Sequence, residues 1–156
     1  MKVKGLVTAV LGIVGAAIMM GGFAGCSFFQ EHERVNNYID KNGHTISASV
    51  DVSNGWSCET YYSTVLIYDH DSTEDKSVTA TATTIDKSTY NLYRQVALKD
   101  MFSEDIKGGT MYKNSEGKMH FICQLNDSIY MDVTSNCASP AQMREIVSRL
   151  GLSIVR

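Results

Sequence analysis

An apolar run at the front of the chain decides how much of it is left to fold. Met1 to Gly5 carries Lys2 and Lys4, Leu6 to Met20 is almost wholly apolar, and Gly-Gly-Phe-Ala-Gly (21–25) leads into Cys26. A basic start, an apolar stretch and small residues at a cleavage point describe an export signal, which is removed from the mature protein. The rival reading is a retained spanning helix starting near Gly5. Its apolar run of about sixteen to twenty residues is at the short edge of what crosses a bilayer. It also holds five glycines from Gly12 to Gly25, and Gln30, Glu31, His32 and Glu33 follow in place of a basic flank.

A cysteine directly after the small residues resembles the lipobox of bacterial lipoproteins. Ala24 and Gly25 fill the two positions before the cysteine as that family prefers, and Phe23 stands where Leu is usual. The resemblance implies cleavage before Cys26, a diacylglyceryl group on its sulfur, palmitate-like chains, and residence at the extracytoplasmic face of the cell membrane. Each buried lipid methylene contributes about 0.8 kcal/mol, and one acyl chain alone anchors only marginally. Two chains on Cys26 hold a protein that has no spanning segment of its own.

Without residues 1–25 the chain of 156 has 131 residues, enough for one domain. A chain of that size buries roughly two-thirds of its unfolded surface, so it needs neither metal nor disulfide merely to fold. Two of the 14 basic residues fall in the signal, leaving 12 against 17 acidic ones, a net charge of −5. No basic stripe or Arg-rich aromatic platform occurs, which argues against nucleic acid as a partner. With Cys26 lipidated, Cys58, Cys123 and Cys137 remain. Export permits disulfides, but three widely spaced cysteines allow at most one bridge within the chain. Cys58–Cys137 and Cys123–Cys137 both stay open, and one thiol is left over.

Taken in order, residues 26–43 read as a lipidated tether. Val35, Tyr38 and Ile39 are three and four apart, spacing that predicts a short helix, and Asp40-Lys-Asn-Gly43 is a turn. The domain then spans 44–156. His44 to Val52 alternates, with Ile46, Ala48, Val50 and Val52 on one face, as a half-buried strand does. Asn54-Gly55 predicts a hairpin into a strand over 56–62. Further strands are expected over 64–68 and 77–85, and Asp69 to Lys76 is a charged loop. Ser88 is the expected cap of a helix built on Leu92, Tyr93, Val96 and Ala97. Lys107-Gly-Gly109 ends that connection, and strands follow over 109–113, 118–125 and 129–134. In the last hairpin, Phe121, Cys123 and Leu125 share a face with Val133, Met131 and Ile129. Ser139-Pro140-Ala-Gln142 is a capping box with proline at the first helical position. Met143, Ile146, Val147 and Leu150 form the apolar stripe, Gly151 stops the helix, and Leu152 to Val155 adds a closing strand.

The expected fold is therefore α+β: a mostly antiparallel sheet of about six to seven strands covered by two amphipathic helices. That order, with Gly55-Trp56 after the first strand and a terminal amphipathic helix, is similar to the PsbP-like fold, which includes bacterial lipoproteins. The resemblance covers most of the mature chain and implies a non-enzymatic accessory protein; it carries over no site residues.

Little in the sequence points to catalysis. Asp69, Asp71 and Thr73 are spaced like the start of a calcium loop. Glu74 stands where that loop needs glycine and Ala80 where it needs a bidentate Glu, so no metal and no cofactor is assigned. There is no Gly-x-Ser-x-Gly elbow and no His-Glu-x-x-His helix. His44 and His120 sit at outward strand positions, where a solvated imidazole is expected. A reactive thiol needs a lowered pKa and exposure, whereas Cys58 and Cys123 lie on core faces. Trp56, Tyr61 and Tyr68 are candidates for lining a ligand cleft, since tyrosine pairs an apolar body with a polar tip. The expectation is a lipid-anchored binding or accessory domain for a protein or small-ligand partner, with an envelope thiol/redox protein or other small envelope enzyme as the alternative.

Overall fold

The computed structural model describes residues 33–69, 78–99, 102–135 and 139–155, all within one unit spanning residues 32–156. They form ten strands and two α-helices. A three-stranded sheet has the order β1-β2-β10, from β1 (Arg34–Lys41), β2 (His44–Asp51) and β10 (Leu150–Ile154). A seven-stranded sheet is built from β3 (Ser57–Tyr61), β4 (Thr64–Tyr68), β5 (Ala80–Ile85), β6 (Ser103–Ile106), β7 (Gly109–Lys113), β8 (Met119–Asn126) and β9 (Ile129–Ser135). Its order is β3-β4-β5-β9-β8-β7-β6. All pairings among these strands are antiparallel. The helices are α1 (Lys87–Ala97), between β5 and β6, and α2 (Pro140–Arg149), which runs straight into β10. No helix among the described residues is long and apolar enough to cross a membrane.

The architecture is α+β and antiparallel, but there are two sheets where one was expected. Helices alone do not cover the large sheet. One of its faces carries Val65, Ile67, Ala80, Ala82, Met111, Met119, Phe121, Cys123, Ile129, Met131 and Val133 into the main core. Opposite them stand Ile39, Ile46, Ala48 and Val50 from the small sheet, with Met143, Ile146 and Val147 from α2. The second face packs against α1 over β7, β8 and β9, where Ala97, Tyr112 and Ile122 are buried with Tyr90, Tyr93 and Val96 around them.

Two strands, β1 and β6, depart from the expectation, and the expected closing strand begins two residues early. Residues 34–41 form β1, not a helical tether, so the folded sheet begins at Arg34, ahead of His44. Val35, Tyr38 and Ile39 fit a helix by spacing, but the inward positions are Asn37 and Ile39, and a buried Asn interrupts the apolar alternation. Asn37 is satisfied across the fold: Nδ2 donates to the Ala48 carbonyl and to Cys58 Sγ, both at 3.3 Å, and Oδ1 accepts from Thr60 Oγ1 at 2.8 Å. β6 is the edge of the large sheet, and its Glu104 and Asp105 suit an edge that must not pair further. β10 supplies the closing strand, pairing with β2 from Leu150↔Val50 to Ile154↔Ile46.

Asn-Gly occurs twice with different outcomes. Asn42 (φ 52°) and Gly43 (φ 76°) make the tight β1–β2 hairpin, both left-handed as a two-residue turn of type I′ requires. Asn54 (φ 61°) and Gly55 (φ 84°) are also left-handed, but they lie in a short 3-10 turn that passes the chain to the other sheet. The expected hairpin there is absent: β3 pairs with β4, from Ser57↔Tyr68 to Tyr61↔Thr64. Trp56, at that crossing, is buried in the main core with the Arg149 guanidinium 4.6 Å above its ring.

α1 is capped two residues earlier than expected. Asp86, not Ser88, is its N-cap, accepting the Thr89 N–H at 2.8 Å and the hydroxyls of Ser88 and Thr89. α2 begins as the sequence indicates, with Ser139 Oγ accepting the Gln142 N–H at 3.2 Å and Pro140 in the first turn. It ends at Arg149, before Gly151, because Leu150 is already extended (φ −92°, ψ 129°) and belongs to β10.

Candidate functional site

The core opens where α2 turns into β10. Phe121, Cys123 and Leu125 of β8 face Val147 of α2 and Leu150 and Leu152 of β10 across a cleft of about 360 Å³. β8 is irregular at this end, with a register shift between Gln124 and Asn126 against β9, and Leu125 is only half-buried there. Gly109 lets the wall close: a Cβ on it would meet the Ile122 carbonyl at 2.5 Å and the Phe121 ring at 2.6 Å.

Lys107 stands at the rim, in the β6–β7 turn. Its ammonium donates to the carbonyls of Val147 (2.9 Å), Ser148 (3.3 Å) and Leu150. It thereby caps the C-terminal end of α2, where carbonyls lack helical partners and a cation is favoured. Burial, and then the nearby Arg34 charge, push its pKa down. With all three N–H bonds directed at backbone oxygens, this lysine has no donor left to aim into the cleft. The six facing side chains are apolar or a thiol, so the cleft suits an uncharged apolar group.

The thiols are placed as core residues. Cys58 and Cys123 are both free. Cys58 is half-buried and accepts the bond from Asn37; Cys123 is buried, and desolvation, reinforced by the Asp132 charge, pushes its pKa up to about 12. A thiol held that high is a poor nucleophile near neutrality. Cys26 and Cys137 lie outside the described residues, as does most of the charged loop after Asp69.

The three aromatic residues expected to share a cleft are not brought together. Trp56 points into the core between the sheets. Tyr68 and Tyr61 alternate with Ile67 and Thr60 and so lie on the other face of the large sheet. There Tyr68 donates to Glu59, which raises the Tyr68 pKa chiefly through that bond. Tyr61 is 62% exposed at the hairpin tip, edge-on to Tyr62. Trp56 and Tyr61 are five residues apart in one extended run, so alternation sends them to opposite faces, and Tyr68 goes with Tyr61.

One constellation escaped the sequence reading. His120 is 7% exposed, not solvated, because α1 covers the outward face of β8. Its Nδ1 lies 3.1 Å from Asp132 Oδ1, itself 4% exposed, and Thr134 Oγ1 donates to Asp132 Oδ2 at 2.8 Å. Tyr112 stacks on the imidazole at 5.0 Å and Tyr93 of α1 lies at 5.4 Å. The usable signal was the alternation itself: Tyr112, His120, Ile122, Asp132 and Thr134 share a face under the observed pairings. Among the described residues, no three of His, Cys, Asp and Glu converge as metal ligands.

Comparison with family models, with curated proteins and with solved structures finds no match for this chain.

Proposed function

We propose that this is a lipid-anchored protein of the bacterial cell envelope, tethered through Cys26 at the extracytoplasmic face, whose domain is a non-enzymatic binding or accessory module. The observation that carries the binding role is the apolar cleft between β8 and the α2–β10 junction, with its lysine turned to backbone carbonyls. The buried His120–Asp132 pair is closed over by α1 and adjoins no described cleft, so it is read as architecture, not as a proton relay to substrate. The anchor is supported by the signal-like segment and the lipobox resemblance, and the likeness to the PsbP-like fold belongs to the same reading.

Two measurements test the two halves separately. Intact mass of the protein taken from its native membrane should give a start at Cys26 plus acyl mass; normal lipid labelling of Cys26→Ala would end the anchor argument. An uncharged apolar fluorophore such as N-phenyl-1-naphthylamine should brighten on binding the wild-type chain and lose that response in Leu152→Glu. Equal brightening in both chains would remove the cleft from the proposal.

A further inference from the structure

The β7–β8 turn closes onto the imidazole beneath α1. Asn114 Oδ1 accepts the backbone N–H of Glu116 at 3.0 Å and of Lys118 at 2.9 Å. Those two donors settle which end of the amide faces them, so its nitrogen is the end turned to His120 Nε2, at 3.3 Å. Across the ring, Nδ1 lies 3.1 and 3.3 Å from the two Asp132 oxygens. A carboxylate accepts and an amide NH₂ donates, so one state of the ring satisfies both sides: Nδ1 carries the hydrogen and Nε2 offers its lone pair. A second proton, taken from solvent onto Nε2, would set donor against donor. The amide cannot turn over to offer its oxygen without abandoning both backbone bonds of the turn. Nor can the ring easily give way, since it is buried, bonded to Asp132 and stacked on Tyr112.

We propose that the second proton on His120 releases Asn114, making the β7–β8 turn a latch that acid opens. The titratable groups facing the ring are Asp132 from β9, Tyr112 from β7 and Tyr93 from α1. Lys113, Glu116 and Lys118 flank Asn114 along the turn, and Glu116 and Lys118 pair with each other at 3.4 Å. This inference does not depend on the lipid anchor or on the apolar cleft.

The test is NMR on the full chain through acid pH, reading the His120 ring nitrogens together with hydrogen-exchange protection at the Glu116 and Lys118 amides. At neutral pH the ring should show the Nδ1–H tautomer and a protected turn. As the ring titrates, protection should fall roughly five- to tenfold with the same midpoint, about the worth of one hydrogen bond. Asn114→Asp leaves one oxygen for the backbone donors and places the other before Nε2, so its turn should stay protected once the ring is charged. The latch is refuted by flat protection through the ring titration, by an Nε2–H tautomer at neutral pH, or by a ring that stays neutral to the point of acid unfolding. It is equally refuted if Asn114→Asp loses protection as the wild type does.

Discussion

Cys123 shows what burial does to a single titratable atom. Its thiol sits among Phe121, Met131 and the apolar lining of the cleft, and its pKa is pushed from 9.0 up to about 12. Below pH 9 the folded and unfolded chains both hold the proton and the residue is silent. Above pH 9 the unfolded chain releases it first, so stability should fall with rising pH by up to ~1.4 kcal/mol per unit until the folded thiol ionises. Denaturant melts from pH 8 to 11 on the wild type and Cys123→Ala should differ in slope, the variant being flatter. Parallel slopes would mean that the thiol is already in contact with water. Sequence pattern placed this residue inward because Phe121, Cys123 and Leu125 alternate along one strand. The same pattern left His120, three positions before it, as a solvated residue. Period two tells which residues share a face but not whether something covers the second face, and the cover here is a helix some thirty residues upstream, beginning at Lys87.

At the scale of elements, local chemistry set beginnings better than partners. The start of α2 was legible because Ser139, Pro140 and Gln142 carry the cap within four residues. Strands 44–51, 64–68, 109–113, 119–126 and 129–135 were legible from alternating or continuous apolar residues. β1 was not, since Asn37 occupies an inward site that only Ala48, Cys58 and Thr60 make tolerable. β6 was hidden by its edge charges. α1 gives a test of capping with a definite sign. Hydrogen bonds from the Ser88 hydroxyl and from Thr89 hold Asp86 at about 2, below the ordinary 3.8. Its contribution is therefore present above pH 3.8 and is lost as pH falls toward 2. Asp86→Ala should weaken the domain at neutral pH and converge with the wild type near pH 2, read by denaturant melts at the two pH values. A gap that persists at pH 2 would place the defect elsewhere than the ionised cap.

On the scale of the whole molecule, the main core is shared by elements far apart in the chain. Met143, Ile146, Val147 and Leu150 are all buried in it. At about 1.5–3 kcal/mol for each large apolar side chain, these four contribute roughly 6–12 kcal/mol, comparable with the entire stability of a domain this size. Removing residues 139–156 takes them away together with β10, and should abolish the cooperative thermal transition followed by circular dichroism. A sharp melt in the truncated chain would contradict the layered core. The antiparallel α+β class could be read from the sequence; the split into two sheets could not. Asn54-Gly55 has the same left-handed φ angles as Asn42-Gly43, and only the distant partners of β3 decide that the chain changes sheets there. The cleft was equally out of reach, because Phe121 and Leu152 meet only after β10 has joined β2.

The small sheet also fixes how the domain would bear a load. β1 and β10 both run antiparallel to β2, and hence parallel to each other; the chain comes in where Arg34 faces Asp51 and leaves where Ile154 faces Ile46. A pull between Glu33 and Val155 therefore acts along the strands in opposite senses, and the backbone bonds on both sides of β2 are sheared together instead of being peeled one at a time. Tension arriving through a tether at the front of the chain would load β1 along its length, against its whole ladder with β2.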